Sequence, residues 1–271
     1  MIVTVDTGGT KTLISSFSLE GKINEQHRFP TPKDINEYFS LLKEILVKNY
    51  SDENVTAIVV ALPGIIKNDI AIWCRNLNWT NVDIKKSLAG ILNNAPIFVE
   101  NDANLAGLFE ARALKPVPKS ALYVTVSTGI GTGFISNGHI DEGLAMSERG
   151  HALVEYDGLV REWESFASGR AIYETYGMYA RDIKSARIWN AVADRISRGF
   201  LAVIPITQPE VIIIGGSIGT YFRHYEAFLV GILKEKLPAH IPCPKFVQAH
   251  YPEEAVIYGG YEYGKDKISR L

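Results

Sequence analysis

Cysteine is scarce: Cys74 and Cys243 are the two in 271 residues, and they lie far apart. Two distant thiols make neither a disulfide framework nor a cysteine-rich zinc site, and they suit a reducing compartment. No apolar run approaches the length of a membrane span. Neither charge is in excess, with 28 Lys and Arg against 30 Asp and Glu and a formal net charge of −2. This removes the usual footprint of a protein that binds nucleic acid or an anionic membrane surface. The opening MIVTVDTGGT lacks the basic start and the cleavage site of a signal peptide, so a cytoplasmic location is expected. There is no P-loop run of Gly-x-x-x-x-Gly-Lys-Ser/Thr, and no Gly-x-Gly-x-x-Gly with the acidic residue of a dinucleotide fold. Asn54-Val55-Thr56 and Asn78-Trp79-Thr80 match the glycosylation triplet by chance on this reading.

What is present is ordinary globular composition, 46% hydrophobic and 21% charged, enough for one large domain or two modest ones. Residues 2–6, 12–18 and 23–29 read as a three-strand meander with glycine turns. Over 34–49, Ile35, Tyr38, Leu42, Ile45 and Leu46 fall on one helical stripe, with Asp34 and Glu37 as a capping box. A buried strand at 55–62, a helix at 84–93, a strand at 96–100 and a helix at 103–113 follow. The pattern then restarts with a strand at 121–127, a turn at 129–133 and a returning strand at 134–136. A mainly helical region is expected over about 161–204. A strand at 210–214, a helix near 224–236, a strand near 245–249 and a helix from about 253 close the chain. Asp6-Thr7-Gly8 and Ser127-Thr128-Gly129 stand 121 residues apart, each after a buried strand. The pattern predicts a duplicated α/β architecture of two lobes with a cleft, whose ligands lie at the C-terminal ends of strands.

Several segments carry candidate chemistry. In Asp6-Thr7-Gly8-Gly9-Thr10-Lys11-Thr12, paired glycines permit close backbone approach, and successive N–H groups can form an anion nest. Asp6, at the strand end, could hold a Mg²⁺-bound water; a plain β-hairpin is the competing reading. Ser127-Thr128-Gly129-Ile130-Gly131-Thr132-Gly133 suits a second phosphate contact. Glu100-Asn101-Asp102 lies where a strand meets a helix, so Asn101 and Asp102 could bind adjacent hydroxyls, or a carboxylate could serve as N-cap. Glu148-Arg149-Gly150-His151 and the segment from Glu164 to Gly169 add two carboxylates and an imidazole, each readable alone as surface charge. Gly215-Gly216-Ser217 is a tight turn or a surface against a nucleotide's adenosine.

Taken in order, these segments resemble the ROK family of glucokinases, other sugar kinases and sugar-responsive repressors. DTGGTK is similar to its first phosphate motif, and VENDANLAGLFEA to its catalytic segment. STGIGTGFISNGHIDEG is similar to its second phosphate region. Glu148-x-Gly150-His151 and Glu164-x-x-x-Ser168-Gly169 fit its sugar motifs, and IIIGGS its adenosine motif. The resemblance implies an actin/hexokinase-like (ribonuclease H-like) fold and a Mg²⁺- and ATP-dependent phosphotransferase. Asp102 would be the general base on a hexose hydroxyl, usually the 6-hydroxyl. Gly64, Asn76, Asn101, Glu148, His151 and Glu164 would join Asp102 in binding the sugar, Asn76 being the looser match. Asp6, Gly8, Gly9, Thr10, Lys11, Thr128, Gly129, Gly131, Gly215 and Gly216 would bind nucleotide or phosphate. It further implies closure of the lobes on sugar and a homodimer.

Two departures narrow this. Many members carry zinc on the histidine and three cysteines, but residues 152–163 contain no cysteine, so no zinc is expected. Some zinc-free relatives use polyphosphate as donor, which leaves the donor open. The phosphate motif begins at residue 6, so no helix-turn-helix and no nucleic-acid partner are expected. The expected domains are a small lobe over 1–106, joined by a C-terminal helix at 253–271, and a larger lobe over 107–252. Glucose is the leading acceptor, with N-acetylmannosamine or another hexose as alternatives. A non-catalytic sugar-binding regulator and an actin-like ATPase are the rivals outside the class.

Overall fold

The computed structural model describes residues 1–251 and 254–270. Its residues group into two compact units, Met1–Phe109 with Glu254–Leu271, and Glu110–Glu253.

The first unit contains β1 (Ile2–Thr7), β2 (Lys11–Phe17), β3 (Ile23–Pro30), β4 (Ala57–Leu62), β5 (Ile65–Lys67), β6 (Ile70–Cys74), β7 (Trp79–Asp83) and β8 (Ile97–Asn101). Its main sheet runs β3-β2-β1-β4-β8. β1 pairs antiparallel with β2 and parallel with β4, and β4 pairs parallel with β8. Every residue of β4 is buried, as a parallel strand covered on both faces requires. Ile58 and Val60 pack with Tyr38, Leu42 and Leu46 of the helix Ile35–Tyr50. Val59, on the opposite face by strand alternation, meets Gly260 and Gly264 of the C-terminal helix Ala255–Ile268. Asp34 caps the first helix, its carboxylate accepting the N–H groups of Asn36 and Glu37 at 2.8 and 3.0 Å.

The second unit repeats the plan with β9 (Ser120–Val126), β10 (Ile130–Ser136), β11 (His139–Ile140), β12 (Leu153–Tyr156), β13 (Leu159–Glu162), β14 (Val211–Gly215) and β15 (Lys245–Gln248). Its sheet runs β11-β10-β9-β14-β15, again with two antiparallel pairings followed by two parallel ones. The duplication read from two glycine turns is thus present as matching topology. The turns themselves differ. The first closes with the Gly8 N–H on the Lys11 carbonyl at 3.0 Å, and the second, tighter, with the Ser127 N–H on the Gly129 carbonyl at 2.9 Å.

Four local expectations need correction. The run read as a turn over 129–133 is strand from Ile130 onward, with Gly131 opposite Thr125 and Gly133 opposite Tyr123. The helix expected over 84–93 stops at Ser87, because Gly90, Leu92, Asn93 and Asn94 all take positive φ. The small antiparallel sheet β5-β6-β7 and the hairpin β12-β13 were not anticipated; the latter overlaps the start of the expected helical region. That region holds the helices Glu164–Ala167, Gly169–Tyr176 and Ala186–Thr207. Of the helix expected over 253–271, residues 253 and 271 lie outside the described residues. Among the described residues no helix is long and apolar enough to cross a membrane.

The second core closes around the fully buried Trp163 and Phe200, whose rings meet edge to face at 5.2 Å. Gly199, on the helix Ala186–Thr207, leaves the space that the Trp163 indole fills. Gly199→Ala should therefore overpack the core and cost about 1–3 kcal/mol, read as a lower urea midpoint with an unchanged m-value.

Candidate active site

In the first unit, the β1-β2 hairpin is held from below. The Thr7 hydroxyl shares a 2.6 Å hydrogen bond with Tyr38, itself packed edge to face on Trp79 at 4.9 Å. Thr31 donates to the Gly8 carbonyl at 2.8 Å and Lys33 to the Gly9 carbonyl at 3.0 Å. A Cβ on Gly9 would lie 2.9 Å from the Asn76 carbonyl, so the segment carrying Asn76 presses directly on the turn. Thr10 and Lys11 are exposed. Asp6 is partly buried at the strand end; desolvation raises its pKa from 3.8 to about 6, and Lys11 offsets this in part.

Where β8 meets the helix Asp102–Ala113, the capping duty falls on Asn101 rather than Asp102. The Asn101 side-chain oxygen accepts the Asn104 N–H at 3.0 Å, and its amide donates to the Gly64 carbonyl at 2.9 Å. Gly64 takes φ +97°, and a side chain there would collide with the Trp73 carbonyl. Asn101 therefore ties the Pro63-Gly64 turn to the helix start, a constraint that residue order alone did not reveal. Asp102 opens the helix, one carboxylate oxygen accepting the Ala103 N–H at 2.7 Å. Behind it, Glu100 accepts the Asn101 N–H at 2.8 Å and the Asn104 amide at 2.9 Å, and burial raises its pKa.

In the second unit, Glu164 lies against the β9-β10 hairpin. Its Oε2 accepts the Ile130 N–H at 3.1 Å, and a Cβ on Gly129 would sit 2.5 Å from the same oxygen. Its Oε1 lies 3.9 Å from His151 Nδ1. Glu148 Oε2 lies 3.9 Å from His151 Nε2, and Glu162 Oε2 lies 3.2 Å from Nδ1. Burial raises the Glu148 pKa, opposed by His151 and reinforced by Glu164. The second unit thus brings Glu148, His151 and Glu164 together and adds Glu162. His151, Glu162 and Glu164 present ligand atoms within 4.8 Å of one another, a spacing compatible with a cation, but without a thiolate among them.

On the same hairpin a cavity of about 490 Å³ opens beside Ser127 and Thr128. The Gly169 N–H donates to the Ser127 carbonyl at 2.6 Å, and Ser217 Oγ stands 3.5 Å from Ser127 Oγ. Gly216, at φ +80°, lets this segment lie on the end of β9, where a side chain would meet Thr125 and Val126. Gly215 and Gly216 thus shape the wall, while Ser217 and Ile218 line the cavity. Gly131 sits in the ladder, past the turn. Tyr173 and Tyr179, stacked at 4.6 Å, also line it, with Arg181 lying 5.0 Å from the Tyr179 ring. No spacing in the sequence announces these tyrosines, because folding alone brings their segments together.

The family model described as "ROK family" matches residues 2–263. The N-acetylmannosamine kinase of Shigella flexneri is 27% identical over an aligned length of 286, spanning 95% of this chain and 96% of that enzyme. The xylose repressor of Bacillus subtilis (strain 168) is 32% identical over 136 residues; that match spans 46% of this chain and 35% of the repressor. The crystal structure of the inorganic polyphosphate/ATP-glucomannokinase from Arthrobacter sp. strain KM superposes with a TM-score of 0.73 at 27% identity, covering 98% of each chain.

The raised pKa of Asp6 makes a stability prediction. Between pH 3.8 and about 6 the unfolded chain releases this proton before the folded one does. Stability therefore falls as pH rises through that window, and the cost is full above it. Asp6→Asn should be more stable than wild type at pH 7.5 by up to about 3 kcal/mol, with the difference vanishing below pH ~4. Denaturant melts of both proteins across this range, without nucleotide or metal, measure it.

Proposed function

The chain belongs to the ROK family and has its two-lobe actin/hexokinase-like fold, and we propose that it is a sugar kinase. It would transfer the γ-phosphoryl group of ATP to the 6-hydroxyl of a hexose, with glucose as the leading acceptor. One observation carries this reading. The Ser127–Ile130 hairpin borders a cavity of about 490 Å³ at Ser127 and Thr128 and holds Glu164, with its imidazole–carboxylate cluster, at the Ile130 N–H. A donor pocket and a set of groups suited to sugar hydroxyls therefore share a single tight turn.

In the proposed reaction the bond between the γ-phosphorus and the bridging oxygen breaks to leave ADP. A new bond forms to the sugar oxygen, whose proton passes to the Asp102 carboxylate. Asn101 keeps Asp102 at the head of its helix by taking the cap itself. Glu148, His151 and Glu164 would bind other sugar hydroxyls, as would the Gly64 and Asn76 segments. The backbone of Gly8, Gly9 and Thr10, with Lys11, would meet the phosphates, as would Thr128 and Gly129. Asp6 fits a divalent cation held through water, since its burial-raised pKa marks a carboxylate short of solvation. Mg²⁺ there would neutralise phosphate charge. Positioning and exclusion of water supply the remaining rate.

Two further readings have specific support. The likeness to a polyphosphate/ATP-glucomannokinase keeps polyphosphate open as donor; stacked Tyr173 and Tyr179 on the cavity wall favour a nucleoside. The repressor match keeps a non-catalytic sugar-binding role open. A homodimer in the cytoplasm belongs to the leading reading.

A panel of hexoses and N-acetylmannosamine, assayed with ATP and with polyphosphate, tests donor and acceptor together. Sugar-dependent ADP release is expected; sugar binding without phosphorylation would favour the regulator. Asp102→Asn should lower turnover by about 10²–10⁴-fold with little change in sugar affinity by calorimetry. Near-normal turnover in that variant would remove Asp102 as base.

A further inference from the structure

His151 is surrounded by three carboxylates that differ in what they can do. Glu164 has one oxygen committed to the Ile130 N–H, and its other lies 3.9 Å from the ring. Glu148 approaches the opposite nitrogen, Nε2, also at 3.9 Å. Glu162 makes the shortest of the three contacts, 3.2 Å from Nδ1, within hydrogen-bond reach. It stands at the end of β13, opposite Leu153 on β12, and the next residue is the fully buried Trp163. The Trp163 N–H donates to the Ala152 carbonyl at 2.9 Å, one residue beyond His151. Both partners of the Glu162–His151 contact are thus fixed by neighbouring backbone rather than by the contact itself.

The pair is not a stabilising device. The Glu162 side chain is 41% exposed and that of His151 is 22% exposed. Ion pairs this wet contribute little to folding. A hydrogen bond at one ring nitrogen does, however, set what the other nitrogen presents.

We propose that Glu162 is a positioning residue for sugar binding: it accepts the Nδ1 proton of His151 and so holds Nε2 toward the sugar. In either charge state of the ring Nδ1 keeps its proton. When the ring is neutral, Nε2 is an acceptor for a sugar hydroxyl beside Glu148. Glu162 touches no substrate in this scheme. The proposal rests on the sugar-kinase reading for what Nε2 meets.

The test uses the full chain with ¹⁵N-labelled histidine and reads the His151 ring nitrogens by NMR in wild type, Glu162→Ala and Glu162→Gln. In the wild type at a pH where the ring is neutral, the Nδ1–H tautomer is expected. Glu162→Ala should lose that preference and raise the sugar KM about tenfold, or ~1.4 kcal/mol, with KM for ATP and the melting temperature unchanged. Glu162→Gln, whose amide oxygen can still accept the proton, should restore much of both. A wild-type tautomer and sugar KM in Glu162→Ala would overturn the proposal. So would an Nδ1–H tautomer that appears in the native protein only on adding a chelator, since a cation on Nδ1, beside Glu162 and Glu164, would then have been setting the ring. If no sugar is phosphorylated, the kinase reading fails, and with it what Nε2 meets; the NMR result still decides whether Glu162 sets the tautomer.

Discussion

The hydrogen bond from the Ile130 N–H to the Glu164 carboxylate governs the arrangement of the second unit. It can form because residue 129 is glycine; any side chain there would displace the carboxylate. The bond leaves the other Glu164 oxygen 3.9 Å from His151, and it fastens Glu164 to the hairpin whose residues Ser127 and Thr128 border the cavity. The Gly169 and Ser217 contacts with Ser127 then bring two more chain segments to the same turn. A carboxylate and the cavity of about 490 Å³ are in this way tied to one hairpin by backbone geometry.

The first unit solves a related problem with an amide. Asn101 spends its oxygen on the helix start and its NH₂ on the Gly64 carbonyl. Both anchors are neutral, which suits a position backed by the buried, pKa-raised Glu100. Beneath the β1-β2 hairpin, Thr7, Tyr38 and Trp79 make a polar contact on an aromatic base. Asp6 carries the opposite character. Its burial disfavours the charged form, a local cost of the kind that accumulates where binding rather than stability is served.

Much of this was legible in residue order. Most strands of the two main sheets (the two-residue β11 excepted), the capped helix at Ile35–Tyr50 and the repeated hairpin were readable because each has a strong local cause: apolar alternation, an N-cap, or paired glycines. The misses have equally local causes. The helix expected over 84–93 was lost to left-handed residues at Gly90 and Leu92–Asn94, two of them asparagines that tolerate αL. The strands β5–β7 are short and broken by left-handed Asn68, Asp69 and Asn78, so their alternation is weak. Gly131 and Gly133 read as turn residues, yet pairing with Thr125 and Tyr123 places them in a ladder. Glu162 carries no signal of its own in the sequence, because its meaning depends on His151, eleven residues earlier, which a two-strand hairpin returns to it.

The sequence by itself determined the family, the repeated strand–hairpin–strand plan, and the candidate groups proposed for phosphate and sugar. These follow from short-range chemistry: periodic burial, glycine's free φ, and carboxylates at strand ends. Only the tertiary structure decided which of those groups is tied to which. It made Asn101 the cap, set Glu164 on the Ile130 N–H, placed Glu162 against His151, and stacked Tyr173 on Tyr179 at the cavity wall. Such pairings join residues whose separation along the chain carries no periodic signal. They exist only once packing has brought their backbones within hydrogen-bond distance.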